Sequence, residues 1–119
     1  MRAALAGVAV AALIFDVALA ASKLTPKEIQ TEFFTGKAFS AATTSGGAKY
    51  RMVFTADGTA SREPEGKAGQ KAQGTWKLSK DGYCTAWDGK AASCYTVVQV
   101  DKNKWSIVKG ATTVAVWSK

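Results

Sequence analysis

Residues 83–98 read YCTAWDGKAASCYTVV, and they carry the clearest signal of local structure in the chain. At their centre is the dipeptide Asp88-Gly89, a pair that favours the tight turns of β-hairpins. The β-branched and aromatic residues on both sides of the dipeptide favour strands. Because Gly89 lies midway between Cys84 and Cys94, the hairpin places the two cysteines opposite each other and predicts a disulfide. A redox-active pair is the alternative, but such pairs usually have C-x-x-C spacing at the start of a helix.

Turn signals of the same kind divide the rest of the chain after Gly36 into short strands. Apolar and polar residues alternate in them, as Met52 and Phe54 do with Arg51, which is typical of strands with one buried face. The predicted strands are 37–43, 48–54, 58–63, 70–79, 82–87, 93–100, 103–108 and 112–118. Hairpin-length connections favour an up-and-down meander, and eight strands can close into a barrel. We therefore predict a mainly β fold, an up-and-down antiparallel barrel of about eight strands that is lipocalin-like or calycin-like.

The register around Asp81-Gly82 stays open at this point. A two-residue turn there pairs Trp76 with Trp87, whereas a three-residue turn shifts every partner by one and places Trp76 opposite Ala86. In either register, we expect Trp76 to face the core.

Alternation in the last predicted strand bears on which residues are exposed. Val114 and Val116 alternate with Thr113 and Ala115, so we expect the two valines to share one face. Trp117 lies close to the end of this strand and near the C-terminus, so we expect it to be partly exposed.

One short helix is expected over residues 24–36. Thr25 is a good N-cap, and Glu28 three residues later completes a capping box. Gly36 is a suitable stop. A helix of this length is not stable alone, so the face that carries Phe33 must dock on the sheet, where we expect it to cover one end of the barrel.

The N-terminal residues 1–20 have the form of a secretory signal peptide. Arg2 precedes the apolar run 3–15, and residues 18–20 form an Ala-x-Ala cleavage site. Asp16 interrupts the run, which argues against a membrane anchor. We expect a single β-barrel domain over residues 21–119 in the periplasm or outside the cell, with no transmembrane segment after cleavage.

The composition excludes several kinds of chemistry. The chain has no His and two Cys, which removes His-based catalytic centres, imidazole metal sites and four-thiolate clusters. Asp57, Asp81 and Asp88 each precede a glycine, as is usual in turns. We therefore expect no enzyme activity, no catalytic residue, no metal ligand and no cofactor.

Charge and aromatic residues suggest a partner. Lys and Arg number 16 against 9 Asp and Glu, giving a net charge of +7. Lys102, Lys104 and Lys109 are expected around one turn, and Trp87 and Trp117 near strand ends, as candidate partner-binding residues. The partner predicted first is an anionic envelope component (a lipid head group, lipopolysaccharide or glycan) or another protein, and not nucleic acid. A small-ligand carrier with a cavity inside the barrel is the alternative, ranked second because bulky side chains are available to fill it.

Several short motifs follow one another along the sequence. They are Leu24-Thr25-Pro26-Lys27-Glu28-Ile29, Gly36-Lys37, Asp57-Gly58-Thr59, Gly74-Thr75-Trp76, Tyr83-Cys84-x-x-Trp87, Cys94-Tyr95-Thr96-Val97 and Asn103-Lys104-Trp105. In this order they resemble a group of small exported proteins of unknown function from Gram-negative bacteria. The resemblance implies a disulfide-pinned β-barrel in the periplasm, and it implies no catalytic residue.

A second resemblance is confined to residues 45–50. Ser45, Gly46 and Tyr50 are similar to the Ser-Gly-x-x-Tyr segment of periplasmic inhibitors of c-type lysozyme, which are also small disulfide-bearing barrels. This resemblance implies a lysozyme inhibitor. The Trp and the Lys-Gly pair that continue the inhibitor pattern are missing from residues 51–58. A basic protein and a basic lysozyme would also repel each other on encounter.

Overall fold

A computed structural model describes residues 21–119, so the signal peptide expected over residues 1–20 lies outside the described residues. These residues form a closed barrel of eight antiparallel strands, with one additional short strand and one short helix. In chain order the elements are β1 (Ser22–Lys23), α1 (Pro26–Phe33), β2 (Phe39–Thr43), β3 (Lys49–Phe54), β4 (Thr59–Pro64), β5 (Ala72–Leu78), β6 (Tyr83–Trp87), β7 (Ser93–Asp101), β8 (Lys104–Lys109) and β9 (Thr112–Ser118).

The barrel is an up-and-down meander, which confirms the predicted fold class. Each strand from β2 to β9 pairs with the next along the chain, and β9 pairs with β2 to close the barrel. The short β1 pairs with the second half of β7. The predicted strand boundaries all agree with the observed ones to within two residues.

Helix α1 begins as its sequence predicts and ends earlier than expected. The Thr25 hydroxyl accepts a hydrogen bond from the Glu28 N–H (3.1 Å), and the Glu28 carboxylate accepts one from the Thr25 N–H (2.8 Å). The predicted end near Gly36 is wrong, because Phe34 already leaves the helical conformation. The Gly36 N–H instead donates to the Phe54 carbonyl (2.8 Å), so the chain turns into the barrel at this point.

The β6–β7 hairpin confirms the predicted disulfide. Cys84 and Cys94 are direct cross-strand partners and are bonded to each other. Asp88 and Gly89 both have positive φ, 51° and 75°, which is the conformation of a type I′ turn. The Lys90 N–H donates to the Trp87 carbonyl (2.9 Å) across that turn.

Neither register considered for the β5–β6 connection is correct. Trp76 pairs with Thr85, because Leu78 and Tyr83 are the last partners before a four-residue connection. The Ser79 N–H donates to the Gly82 carbonyl (2.9 Å), and the Ser79 hydroxyl accepts from the Gly82 N–H (3.1 Å). The side chain of Ser79 therefore closes a longer turn than the Asp-Gly dipeptide alone predicts.

A β-bulge reverses the expected alternation in β9. Ile107 pairs with Ala115 and Val108 pairs with Thr113, so Val114 is an extra residue between two pairs. After this extra residue, the odd-numbered positions of β9 face the interior, in place of the even-numbered positions that the alternation predicts. The expected partial exposure of Trp117 is therefore wrong, because this side chain is only 2% exposed.

Aromatic side chains fill the end of the barrel that the helix covers. The Phe33 ring lies edge-on to Trp105 and Trp117, at centroid distances of 4.9 Å for both pairs. Phe34 stacks on Phe54 at 4.7 Å and lies 4.3 Å from Trp76. This helix end also carries the β3–β4, β5–β6 and β7–β8 connections, and the other four hairpin connections lie at the open end.

Candidate functional site

The open half of the barrel contains a cavity of about 200 Å³ beyond the aromatic cluster. Inward-facing side chains from seven strands line it, and most of them are apolar or aromatic. The lining residues are Ala41, Thr43, Tyr50, Met52, Phe54, Arg62, Tyr83, Thr85, Trp87, Tyr95, Ile107, Val114, Ala115 and Trp117. The interior is therefore packed at the helix end and hollow toward the open end.

Arg62 brings a positive charge into this cavity. Its guanidinium carbon lies 4.9 Å from the centroid of the Tyr50 ring and 4.9 Å from that of Trp87. The Nε atom is buried and has no hydrogen-bond partner. Contacts with aromatic faces stabilise a cation modestly, but they do not use the N–H donors in the guanidinium plane.

The strand pairing explains why this arginine points inward. Arg62 pairs with Met52 of β3 on one side and with Ala72 of β5 on the other. Met52 and Ala72 are both buried, so Arg62 shares the inner face with them. Ala72 is small, and it leaves room beside the long side chain.

Three hydroxyl-bearing side chains on β6 and β7 add polar groups to the wall. Tyr83 and Thr85 lie on β6 and are 3% and 4% exposed, and Tyr95 lies on β7 with its ring 5.4 Å from that of Tyr83. Burial raises the pKa of Tyr83 well above its ordinary value, and the neighbouring Tyr95 adds to this effect. Tyr83 therefore keeps its proton at neutral pH and can donate a hydrogen bond.

The charge in the cavity is not balanced by the residues that surround it. Among the described residues that line the cavity, none carries a carboxylate. Glu63, next to Arg62 in β4, is on the outer face, where it pairs with Lys71 at 3.5 Å. The salt bridges found within residues 21–119 do not include Arg62. The cavity is consequently a cationic, aromatic-walled compartment.

The connection between β4 and β5 packs against one residue of the cavity wall, Tyr50. This connection spans residues 65–71, between the end of β4 at Pro64 and the start of β5 at Ala72. Within this connection Gly69 has a φ of +90°, and a Cβ there would lie 2.4 Å from the Tyr50 hydroxyl. The glycine thus lets the loop backbone rest directly on a ring of the cavity wall.

The candidate partner-binding tryptophans both line the cavity and do not form an outer surface. Trp87 is half-buried at the open end, beside Arg62. Trp117 belongs to the aromatic cluster and is buried there by Phe33 and Phe39. The bulge at Val114 is the reason that Trp117 faces inward.

The expected lysine cluster around one turn is wrong. Lys102 and Lys104 lie at the helix end of the barrel, whereas Lys109 lies at the other end of β8. A strand rises about 3.3 Å per residue, so Lys104 and Lys109 are roughly 16 Å apart. Lys109 instead contacts Ser93 on the neighbouring strand, with 3.4 Å between its Nζ and the Ser93 Oγ.

The inhibitor-like segment divides between the rim and the interior. Ser45 and Gly46 are exposed in the β2–β3 connection at the open end, while Tyr50 is buried under Gly69. The three residues therefore do not form one continuous exposed surface.

Arg62, Tyr83 and Tyr95 are cavity residues that sequence reasoning missed. Arg62 lies in phase with Ala60, and this alternation is the signal that places it on the inner face of β4. Tyr83 and Tyr95 flank the two cysteines of the hairpin, and their sequence pattern indicates only that they favour strands. That they pair with each other depends on the strand register, which the sequence does not show.

Within residues 21–119, no three His, Cys, Asp or Glu side chains come together as potential metal ligands. No helix in this part of the chain has both the length and the apolar character needed to span a bilayer. The chain matches no family model, no curated protein and no solved structure, so the two resemblances in the sequence remain predictions.

Proposed function

We propose that this protein is a non-catalytic, exported binding protein that holds a small, partly apolar ligand in the open half of its barrel. The observation that carries the proposal is the cavity of about 200 Å³ between the aromatic cluster and the open end. Small-molecule sites are typically concave and mostly apolar, with a few convergent polar groups. The cavity wall combines aromatic rings with the hydroxyl of Thr85 and the charge of Arg62, which fits this description.

The volume indicates the size of the ligand. A closed apolar cavity of about 150 Å³ accepts benzene. A cavity of about 200 Å³ therefore suits one ring with a small substituent, or a short branched chain. This is smaller than the roughly 300–1,000 Å³ of sites for drug-sized ligands.

We propose binding inside the barrel ahead of binding through a basic surface patch. Binding through a basic surface patch relied on Lys102, Lys104 and Lys109, which the fold separates between two ends. Bulky side chains, if distributed through the whole barrel, would leave no room for a ligand. Those side chains gather at the helix end, so we favour the interior as the binding site.

We expect single-ring compounds to stabilise the protein against heat. Benzyl alcohol and benzoate serve as probes, with the melting temperature and the tryptophan fluorescence as readouts, since Trp87 and Trp117 line the cavity. A ligand at ten times its Kd stabilises the folded state by about 1.4 kcal/mol. For a domain of this size that corresponds to a rise of roughly 5–10 °C.

A matched pair of variants locates the binding. Val114 lines the cavity, while Val116 lies two residues further along β9 and is not part of the lining. We expect Val114→Phe to abolish the response to both probes and Val116→Phe to retain it. A failure of both probes to raise the melting temperature, or equal responses in the two variants, would contradict the proposal.

A further inference from the structure

We propose that the ligand of this cavity is a monoanion, a small carboxylate with an aromatic or branched apolar body, whose charge is neutralised by Arg62. The inference rests on the proposed function and names the class of ligand. It is drawn from the placement of one cation, without a counter-charge, inside a wall that is otherwise uncharged and mostly apolar.

The environment of the Arg62 charge favours an anionic ligand. A buried charged group is costly unless it is paired and hydrogen-bonded. Arg62 is half-buried, its Nε atom is fully enclosed without a hydrogen-bond partner, and none of the described side chains lining the cavity supplies a negative charge. The rings of Tyr50 and Trp87 offset part of this cost. An anion in the cavity would offset more of it, because it adds both a counter-charge and hydrogen-bond acceptors.

The shape and charge of the guanidinium favour a carboxylate over other anions. A guanidinium presents its donors in a planar fork that matches the two oxygens of a carboxylate. One cation balances one negative charge, whereas a phosphate monoester carries nearly two at neutral pH. Arg62 is the one cationic residue among the described residues that line the cavity, which favours a monoanion.

The aromatic and apolar wall favours an apolar body for the remainder of the ligand. Beyond Arg62, the wall offers the faces and edges of Trp87, Tyr95 and Tyr83, with Met52 and Ile107 beside them. Aromatic rings pack well against such a wall in offset or edge-on arrangements. A carboxylate attached to one ring therefore satisfies the charge and the apolar wall at once, within the volume available.

Benzoate and benzyl alcohol test the inference directly, because they share one ring and differ in charge. We expect the protein to bind benzoate at least 10-fold more tightly than benzyl alcohol at moderate salt. In Arg62→Met, which keeps a long side chain and removes the charge, we expect benzoate affinity to fall at least 10-fold and benzyl alcohol affinity to stay within about threefold. These affinities are measured by titration calorimetry or by tryptophan fluorescence.

Arg51→Met is the matched control. Arg51 lies next to Met52 on β3 but on the outer face, where it is exposed. The Arg51→Met substitution removes the same unit of charge from the protein, and we expect it to leave the affinities for benzoate and benzyl alcohol unchanged. An equal loss of benzoate affinity in Arg51→Met and Arg62→Met would show that net charge matters and would overturn the role of Arg62.

The outcomes separate this inference from the proposed function. Equal binding of benzoate and benzyl alcohol by the unmodified protein overturns the inference and leaves the cavity function standing. Binding of neither probe overturns both. The comparison in the unmodified protein needs no variant, so it decides the question even if Arg62→Met fails to fold.

Discussion

Replacing Phe33 with Ala is expected to lower the free energy of unfolding by about 3–5 kcal/mol, which is the usual cost of deleting a buried aromatic ring. The ring is 1% exposed and joins the helix to three strands through Phe39, Trp105 and Trp117. A helix of eight residues has little stability of its own, so the loss of this contact affects the whole helix end of the barrel. Urea unfolding followed by circular dichroism measures the change.

Two further helix variants are expected to have smaller effects on stability, with which the Phe33→Ala result is compared. Thr25→Ala removes the N-cap and should cost only about 1 kcal/mol. Thr31 is exposed on the same helix, and Thr31→Ala should change stability by less than about 0.5 kcal/mol. Small and equal effects from all three substitutions would mean that the helix does not support the barrel.

Removing the disulfide is the second large effect that we expect. Replacing Cys84 and Cys94 together by Ala should cost on the order of 2–4 kcal/mol. The bond closes a short loop, with a sequence separation of 10, for which chain entropy alone gives about 2.5–3 kcal/mol. It also lies in a short seam of the barrel, since β6 and β7 share three residue pairs while β8 and β9 share six.

Reduction of the unmodified protein provides the control for the double substitution. We expect the reduced protein and the Ala variant to unfold at the same urea concentration, both keeping the barrel's circular dichroism spectrum in the absence of urea. A free thiol in the unmodified protein purified from an oxidising compartment, as read by mass spectrometry, would contradict the disulfide. A double variant as stable as the parent protein would contradict the expected stabilisation by the disulfide.

The features predicted best from the sequence are those that local chemistry specifies. The turn dipeptide Asp88-Gly89 and its cysteines define a hairpin without reference to the rest of the chain. The capping residues Thr25 and Glu28 define the start of the helix in the same way. The strands can be predicted as well, because each turn signal is local and because apolar and polar residues alternate within each strand.

The errors arise where partners distant in sequence decide the geometry. The bulge at Val114 depends on the pairing of β9 with β8, and it reverses the direction of Trp117. The separation of Lys104 from Lys109 follows from the path of β8 between the two ends of the barrel, which a spacing along the sequence does not show.

The cavity itself could not be predicted for a related reason. Alternation along β4 predicts that Arg62 faces inward. Its position beside Trp87, however, requires the barrel to bring β4 and β6 together across β5. The volume left at the open end depends on how far the aromatic side chains gather around Phe33. Composition shows that enough bulky side chains exist to fill a barrel, and it does not show where they lie.

The most direct measurement is a titration of the ¹⁵N-labelled protein with benzoate, followed by proton–nitrogen NMR. We predict that the Arg62 Nε–H and the Trp87 indole N–H shift together with the backbone amide of Thr85, since all three residues line the cavity. The Trp76 indole N–H, which donates to the Thr55 carbonyl at the helix end (2.8 Å), should stay in place as an internal reference. Shifts confined to the amides of Lys102, Lys104 and the other exposed lysines, with no change at Arg62 and Trp87, would contradict binding inside the barrel.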